Sequence, residues 1–282
     1  MSSVSEGHGP DIPVQHGLRR GDAAARSPLA VTLSVWRALM LREALTRLFS
    51  KRAAWAWLMA EPLFHISYML AIFTGLRART MGGIDIVIWL ISGMCAFFIF
   101  RRTANQLEHA IDANMALFAY RQVKPVDTVI VRGVLEGILM LVVSLIIFGA
   151  AGLWGHDILP DAPLMVAAGV LGLWLIGLGW GLITSVLTSL ISEMSMLLGF
   201  VMMPLFLLSG VFMPVSSIPQ PYRDWVVLNP IVHGLEAVRL GFTPYYHAIP
   251  EFDLGYLFLW ALGMNFMGLV LQRRFAERLV QQ

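Results

Sequence analysis

SGVFMPVSSIPQPYRDWVVLNPIVHGLEAVRL, residues 209–240, decides how this chain folds. Pro214, Pro219, Pro221 and Pro230 forbid one continuous helix, because each lacks an N–H and crowds the turn before it. Val226, Val227, Leu228, Ile231, Val232 and Leu235 nevertheless keep the stretch apolar. A segment too apolar for a free loop and too broken for a span predicts short helices dipping into the outer face of a membrane. Irregular backbone at that depth survives only against protein or a water-filled cavity, so the stretch is expected to border a passage. The alternative is a hydrophobic extracytoplasmic loop lying flat.

The sequence on either side supplies the membrane. The chain has 282 residues, 57% hydrophobic and 13% charged, with a mean hydropathy of +0.71. A soluble chain so composed would lack the polar surface to cover its core. Crossing a hydrocarbon core of about 30 Å takes about 20 apolar residues. Six segments qualify, at about 54–76, 85–107, 127–151, 163–190, 195–213 and 253–271. The expected fold is an all-α membrane protein with six transmembrane helices and the short re-entrant helices between spans five and six. Residues 1–28, rich in Gly, Ser, Pro and Arg, read as a disordered cytoplasmic tail without a signal-peptide core. Residues 29–282 read as one transmembrane domain. The single cysteine, Cys95, leaves no internal disulfide and reads as a small buried residue.

Basic residues orient the spans. Of the 20 lysines and arginines, sixteen fall before span one, around the end of span two and its following loop, or at the C-terminus. Arg77, Arg79, Arg223 and Arg239 are the four on the other side. Both termini are therefore expected in the cytoplasm. SVWRALMLREALTRLFSKR, residues 34–52, carries Val35, Leu39, Leu45, Leu48 and Phe49 among arginines at helical spacing. It reads as an amphipathic helix in the cytoplasmic interface, or else as a basic extension of span one.

Three blocks resemble a known family. SGVFMPVSSIP followed by LNPIVHGLEAVR (209–219 and 228–239) has the small-Gly-x-Phe, double proline, Asn-Pro and Glu-x-x-Arg order of the ABC-2 type exporter permeases. REALTRLFSKRAAWAWLMAEPL (42–63) looks like the interfacial helix and first span of polysaccharide-exporting members. FFIFRRTANQLEHAIDANMALFAYRQVKPVDTVIVR (97–132) looks like the second span and first cytoplasmic loop of group 2 capsular polysaccharide exporters, the KpsM type. The resemblance covers residues 35–280. It implies an inner-membrane permease subunit for lipid-linked acidic capsular polysaccharide, with O-antigen or teichoic-acid export as the alternative within the class. It also implies a homodimer, two copies of an ABC ATPase subunit carrying ATP and Mg, and a periplasmic co-polymerase and outer-membrane exporter beyond. Nothing in the sequence calls for a nucleic acid, a metal or a cofactor bound by this chain.

The energy source must lie elsewhere. A phosphate-binding loop needs GxxxxGK[ST], and the chain has two lysines, Lys51 followed by Arg and Lys124 followed by Pro. A separate ATPase would push on the loop HAIDANMALFAYRQVKPV, residues 109–126, whose position corresponds to the family's coupling helix. Ala113, Asn114, Met115, Leu117, Phe118 and Tyr120 are the expected contacts, with Met115, Leu117, Phe118 and Tyr120 reading as exposed. The gate is expected at Pro214, Pro219, Asn229, Pro230, Glu236 and Arg239.

Ionisable groups inside spans mark function by default. Glu61 and His65 are four apart and share a helix face; they read as a hinge or substrate contact, or as an interfacial carboxylate paired with an arginine of the amphipathic helix. Arg101 lies about 24 Å along span two, near the cytoplasmic edge. Arg101, Asn105, Glu108 and Asp112 form one polar stripe, with Arg102 beside it. Arg101, Arg102, Asn105, Glu61, His65 and Trp180 are the expected substrate path. The alternative for the arginines is anchoring or a pair with Glu108. The glycines of span four read as packing positions. An intramembrane enzyme is the other class: a rhomboid-like protease also has six spans, but 253–271 contains no histidine to serve Ser209. A secondary transporter would show an inverted repeat, and none is visible.

Overall fold

A computed structural model describes residues 28–49, 54–75, 80–120 and 122–281. The tail before residue 28, the 50–52 end of the interfacial segment, and Arg77, Arg79 and Arg121 lie outside the described residues. The helices are α1 (Pro28–Phe49), α2 (Ala54–Gly75), α3 (Ile86–Glu108), α4 (Pro125–Leu153), α5 (Pro163–Leu190), α6 (Met194–Leu208), α7 (Tyr222–Val227), α8 (Pro230–Phe242), α9 (Leu254–Arg274) and α10 (Ala276–Val280). A two-stranded antiparallel hairpin, β1 (Thr80–Met81) and β2 (Ile84–Asp85), pairs Thr80 with Asp85. Two 3-10 helices, Asp112–Ala119 and Val215–Ser217, complete the described regular structure.

Local chemistry sets the helix starts. Prolines 125, 163 and 230 each stand in the first turn, where a missing N–H costs nothing. Asp85, Asn229 and Asp253 cap α3, α8 and α9 with side-chain oxygens that accept from Val87, Ile231 and Gly255. The prolines that break the 209–240 stretch thus also delimit its pieces.

α3 is the axis of the bundle. From Trp89 to Phe100 it is buried on every side, as befits a helix apolar all round. α5 lies along it through small residues: a Cβ on Gly177 would crowd the Phe100 carbonyl, and one on Gly181 would strike Leu107. α9 meets the other side of α5, where Gly172 faces Leu257. α4 runs antiparallel to α3. α2 closes one flank and turns Trp57, Phe64 and Tyr68 outward. At one end of the bundle α1, the longer 3-10 helix and α10 gather; at the opposite end stand the hairpin, α7 and α8.

α2, α3, α4, α5 and α9 are long and apolar enough to cross a membrane. The segment expected as a span over 195–213 is shorter. α6 ends at Leu208 after 15 residues, about 22 Å of helix, and Gly210 at φ +78° turns the chain away. The amphipathic segment expected over 34–52 is helical from Pro28, buries Leu39 and exposes Leu33, Leu41, Leu45 and Phe49.

Candidate functional site

Two polar clusters stand in this apolar frame. The first joins α1 to α2, α3 and α4. Glu43 and Arg47 are one turn apart on α1; Arg132 and Glu136 are one turn apart on α4. Glu43 Oε1 accepts from Arg132 Nε at 2.6 Å and from Arg47 Nε at 3.1 Å. Arg47 also pairs with Glu136. Arg102 on α3 donates through Nη1 to Glu61 Oε2 of α2 at 2.8 Å, while its Nε faces Glu136 Oε2 at 3.6 Å. Arg132 Nη1 donates to the Gln106 carbonyl at 3.2 Å. Three carboxylates thus meet three guanidiniums, the balance that burying charge demands. Glu136 is 0% exposed, whereas the Glu61 side chain is 36% exposed. Between these groups opens a cavity of about 320 Å³ lined by Arg47, Leu48, Trp57, Leu58, Glu61, Arg102, Glu136 and Leu139. Burial would raise the Glu43 carboxyl, but Arg132 and then Arg47 outweigh it and hold it below the ordinary glutamate range.

Of the expected path residues, the structure brings Glu61 and Arg102 together. Among the described residues neither of the alternative pairings forms: Arg102 meets Glu61 rather than Glu108, and Arg47 of α1 meets Glu136 rather than Glu61. His65 Nδ1 lies 2.9 Å from the Glu61 carbonyl, with its ring edge-on to Phe98. Arg101 points elsewhere, its guanidinium 5.9 Å from the Phe98 ring. Asn105 is exposed, and Trp180 rests edge-on against Phe100, outside the cavity lining. The stripe expected through Glu108 and Asp112 ends earlier. α3 stops at Glu108, which is buried, and its carbonyl accepts from Thr188 Oγ1 at 2.9 Å. Asp112 opens the next element.

Sequence reasoning missed Glu43, Arg47, Arg132 and Glu136 as members of this cluster. A signal for Glu136 existed, since a carboxylate in the apolar run VRGVLEGILML (131–141) is costly unless paired.

The expected coupling residues fall on the 3-10 helix and just after it. Ala113 is exposed, and Met115 and Leu117 are half-buried. Asn114 is buried, donating to the Ala110 carbonyl at 2.8 Å and accepting from Arg42 Nη1 at 2.7 Å. Phe118, read from sequence as exposed, is only 6% exposed; it packs in a cluster with Leu107, Val129, Leu182 and Leu279. Tyr120, one step beyond, is 67% exposed. Trp36 Nε1 donates to Asp127 at 2.9 Å and holds α1 to the start of α4 nearby.

The second cluster sits at the opposite end. Asn229 caps α8 and donates to Ser209 Oγ at 2.9 Å. Pro230 starts that helix, and the Pro214 and Pro219 carbonyls accept from Ser217 and Arg223. Glu236 accepts from Tyr246 Oη at 2.7 Å and from the Ile249 N–H at 3.1 Å. Arg239 is fully buried. It donates to the Gly210 and Val211 carbonyls at 2.7 and 3.1 Å and lies 3.9 Å over the Trp89 ring. The Glu-x-x-Arg pair therefore ties α8 to two different segments. Among the described residues, no three His, Cys, Asp or Glu side chains stand together as a metal site.

The model of the ABC-2 type transporter family matches residues 34–243. The chain belongs to the ABC-2 type transporter family. Both clusters, apart from the Tyr246 and Ile249 partners of Glu236, fall inside the matched region. The chain is similar to the polysialic acid transport protein KpsM of Escherichia coli, with 34% identity over 259 residues, 91% of this chain and 99% of that protein. It is 29% identical over 254 residues to the capsule polysaccharide export inner-membrane protein CtrC of Neisseria meningitidis, covering 88% and 94% of the two chains. It is 24% identical over 270 residues to BexB of Haemophilus influenzae, a protein named likewise, covering 94% and 100%. As an ABC-2 family member, the chain is a multi-pass membrane protein whose apolar outer surface belongs in lipid or against another subunit.

Proposed function

We propose that this chain is the permease subunit of an ATP-driven exporter that carries lipid-linked acidic capsular polysaccharide across the bacterial inner membrane. The observation that carries this reading is the end-to-end similarity to the polysialic acid transport protein KpsM, 34% over 91% of the chain. Hydrolysis falls to a separate ATPase subunit, with its ATP and Mg, since neither lysine stands in a phosphate-binding loop. The work of this chain is steric and electrostatic. Two copies wall the passage, and two ATPases drive it through the loop at residues 113–120. Arg101, Arg102 and Asn105 attract the anionic glycan at the cytoplasmic mouth, with Glu61, His65 and Trp180 along the path. α6 with the turn at Gly210 makes the sixth crossing, and α7 and α8 re-enter from the outer face as its gate, stiffened by Glu236 and Arg239. α1 lies in the cytoplasmic interface, and both termini face the cytoplasm. Outside, a periplasmic co-polymerase and an outer-membrane exporter continue the route.

Deletion of the gene, with complementation by wild type or by Arg101→Gln and Arg102→Gln variants of verified membrane insertion, tests this. Deletion should strip the surface capsule and leave polymer inside the cell; wild type should restore it and the variants should not. Unchanged capsule in the deletion strain would sink the reading. Loss of O-antigen or teichoic acid instead would redirect it.

A further inference from the structure

We infer that Glu61 is an internal place-holder: its carboxylate occupies, on Arg102, the site where an oxyanion of the transported molecule binds. This rests on the reading of Arg102 as part of the substrate path. Three observations carry it.

First, the links of the ion network differ in how firmly they are held. Glu136 is fully enclosed and Glu43 nearly so; Glu43 is shared by Arg47 and Arg132, and Glu136 by Arg47 and, at 3.6 Å, Arg102. Stripping a buried charge of its partner is strongly unfavourable. Glu61 has one arginine partner among the described residues and is the most exposed of the three carboxylates. An ion pair with a half-exposed member is worth little, so this is the link that yields. Second, the cavity opens onto that link, with both Arg47 and Arg102 in its wall and Trp57 beside them. Third, Arg102 divides its donors between two carboxylates. Nη1 holds Glu61, while Nε is buried and faces Glu136 Oε2 at 3.6 Å, beyond hydrogen-bond reach. The Nη1 donor that Glu61 occupies suits any carboxylate or phosphate oxygen.

An incoming oxyanion that replaces Glu61 on Nη1 leaves the charge count of the network unchanged. Glu61 then swings to water, and α2 loses its polar tie to α3. Pro62 follows directly and removes one hydrogen bond from the helix ladder, so α2 is weakest where the release occurs. Occupancy of the site would thus loosen the seam beside the passage, and an empty site would close on itself. The ligand chemistry is an oxyanion: the phosphodiester of a lipid anchor or the carboxylate of an acidic sugar.

The test uses the full-length chain in neutral maltoside detergent, as wild type, Glu61→Gln, Arg102→Gln and the double variant. Two probes are titrated calorimetrically: soluble short-chain phosphatidylglycerol, and an oligoglucuronate without lipid. Glu61→Gln should bind at least one probe about tenfold more tightly than wild type. Arg102→Gln should bind neither, and the double variant should match Arg102→Gln. The responding probe names the source: phosphate, sugar carboxylate, or the shared oxyanion if both respond. Equal or weaker binding by Glu61→Gln, with thermal unfolding unchanged, overturns the inference. Should Glu61→Gln unfold, Glu61→Asp, which keeps the charge on a shorter arm, should still bind more tightly than wild type; failure to do so overturns it equally. Normal capsule export by Arg102→Gln would instead defeat the reading of the path itself. Lost export by Arg102→Gln without tighter binding by Glu61→Gln would defeat only the place-holder.

Discussion

Arg239 hydrogen-bonds to carbonyls, not to a carboxylate. Its guanidinium spans the Gly210 and Val211 carbonyls and the face of Trp89, and it fits there because Gly93 has no side chain. A Cβ on Gly93 would collide with Nη2. Gly93→Ala should therefore lower thermal stability by about 1–3 kcal/mol, read as a reduced unfolding temperature in detergent; an unchanged midpoint would mean the contact is loose. Glu43 gives a pH prediction. Its carboxyl is held below the ordinary glutamate value of about 4.3. The stability it contributes is thus present above that value and is lost as pH falls through the lowered native one. The protection of α1 amides, taken relative to their intrinsic exchange rate at each pH, should hold from neutral pH to about pH 5 and fall only below about pH 4. A fall between about pH 5 and pH 7 would assign the docking of α1 to other groups. At this scale Glu61 and Arg102 were legible as costly charges in apolar helices. Their partnership was not, because a pair 41 residues apart in sequence leaves no spacing to read.

Among the elements, the loop between α3 and α4 separates two roles that look alike in sequence. Phe118 and Tyr120 are both aromatic and two positions apart, yet one is core and the other faces out. The 3-10 winding and the docking of α10 decide this, since Leu279 arrives from the far end of the chain to cover Phe118. Phe118→Ala should cost about 3–5 kcal/mol of stability. Tyr120→Ala should leave the unfolding temperature intact and reduce copurification of the ATPase subunit. The reverse pattern would contradict the burial. Helix starts are set locally, because Pro125, Pro163, Pro230, Asp85 and Asp253 act within one turn. The end of α6 was not legible: hydropathy runs on to Met213, but Arg239 of α8 and its cap Asn229 hold the turn at Gly210.

As a whole molecule, the bundle is inverted relative to a soluble protein. α3 is sealed, while α2, α6 and α9 turn large apolar side chains outward. Composition and hydropathy made this legible, and the 209–240 stretch together with the 42–63 and 97–132 blocks pointed to the family. The central claim is that this chain, with a separate ATPase, moves an acidic polysaccharide. Its most direct test is transport by proteoliposomes that hold the full-length chain and its ATPase subunit, with lipid-linked polysaccharide supplied on the ATPase side. ATP should drive polymer into the lumen, where glycosidase added outside no longer reaches it, and a non-hydrolysable analogue should not. Polymer that stays fully digestible while the ATPase turns over would contradict the claim.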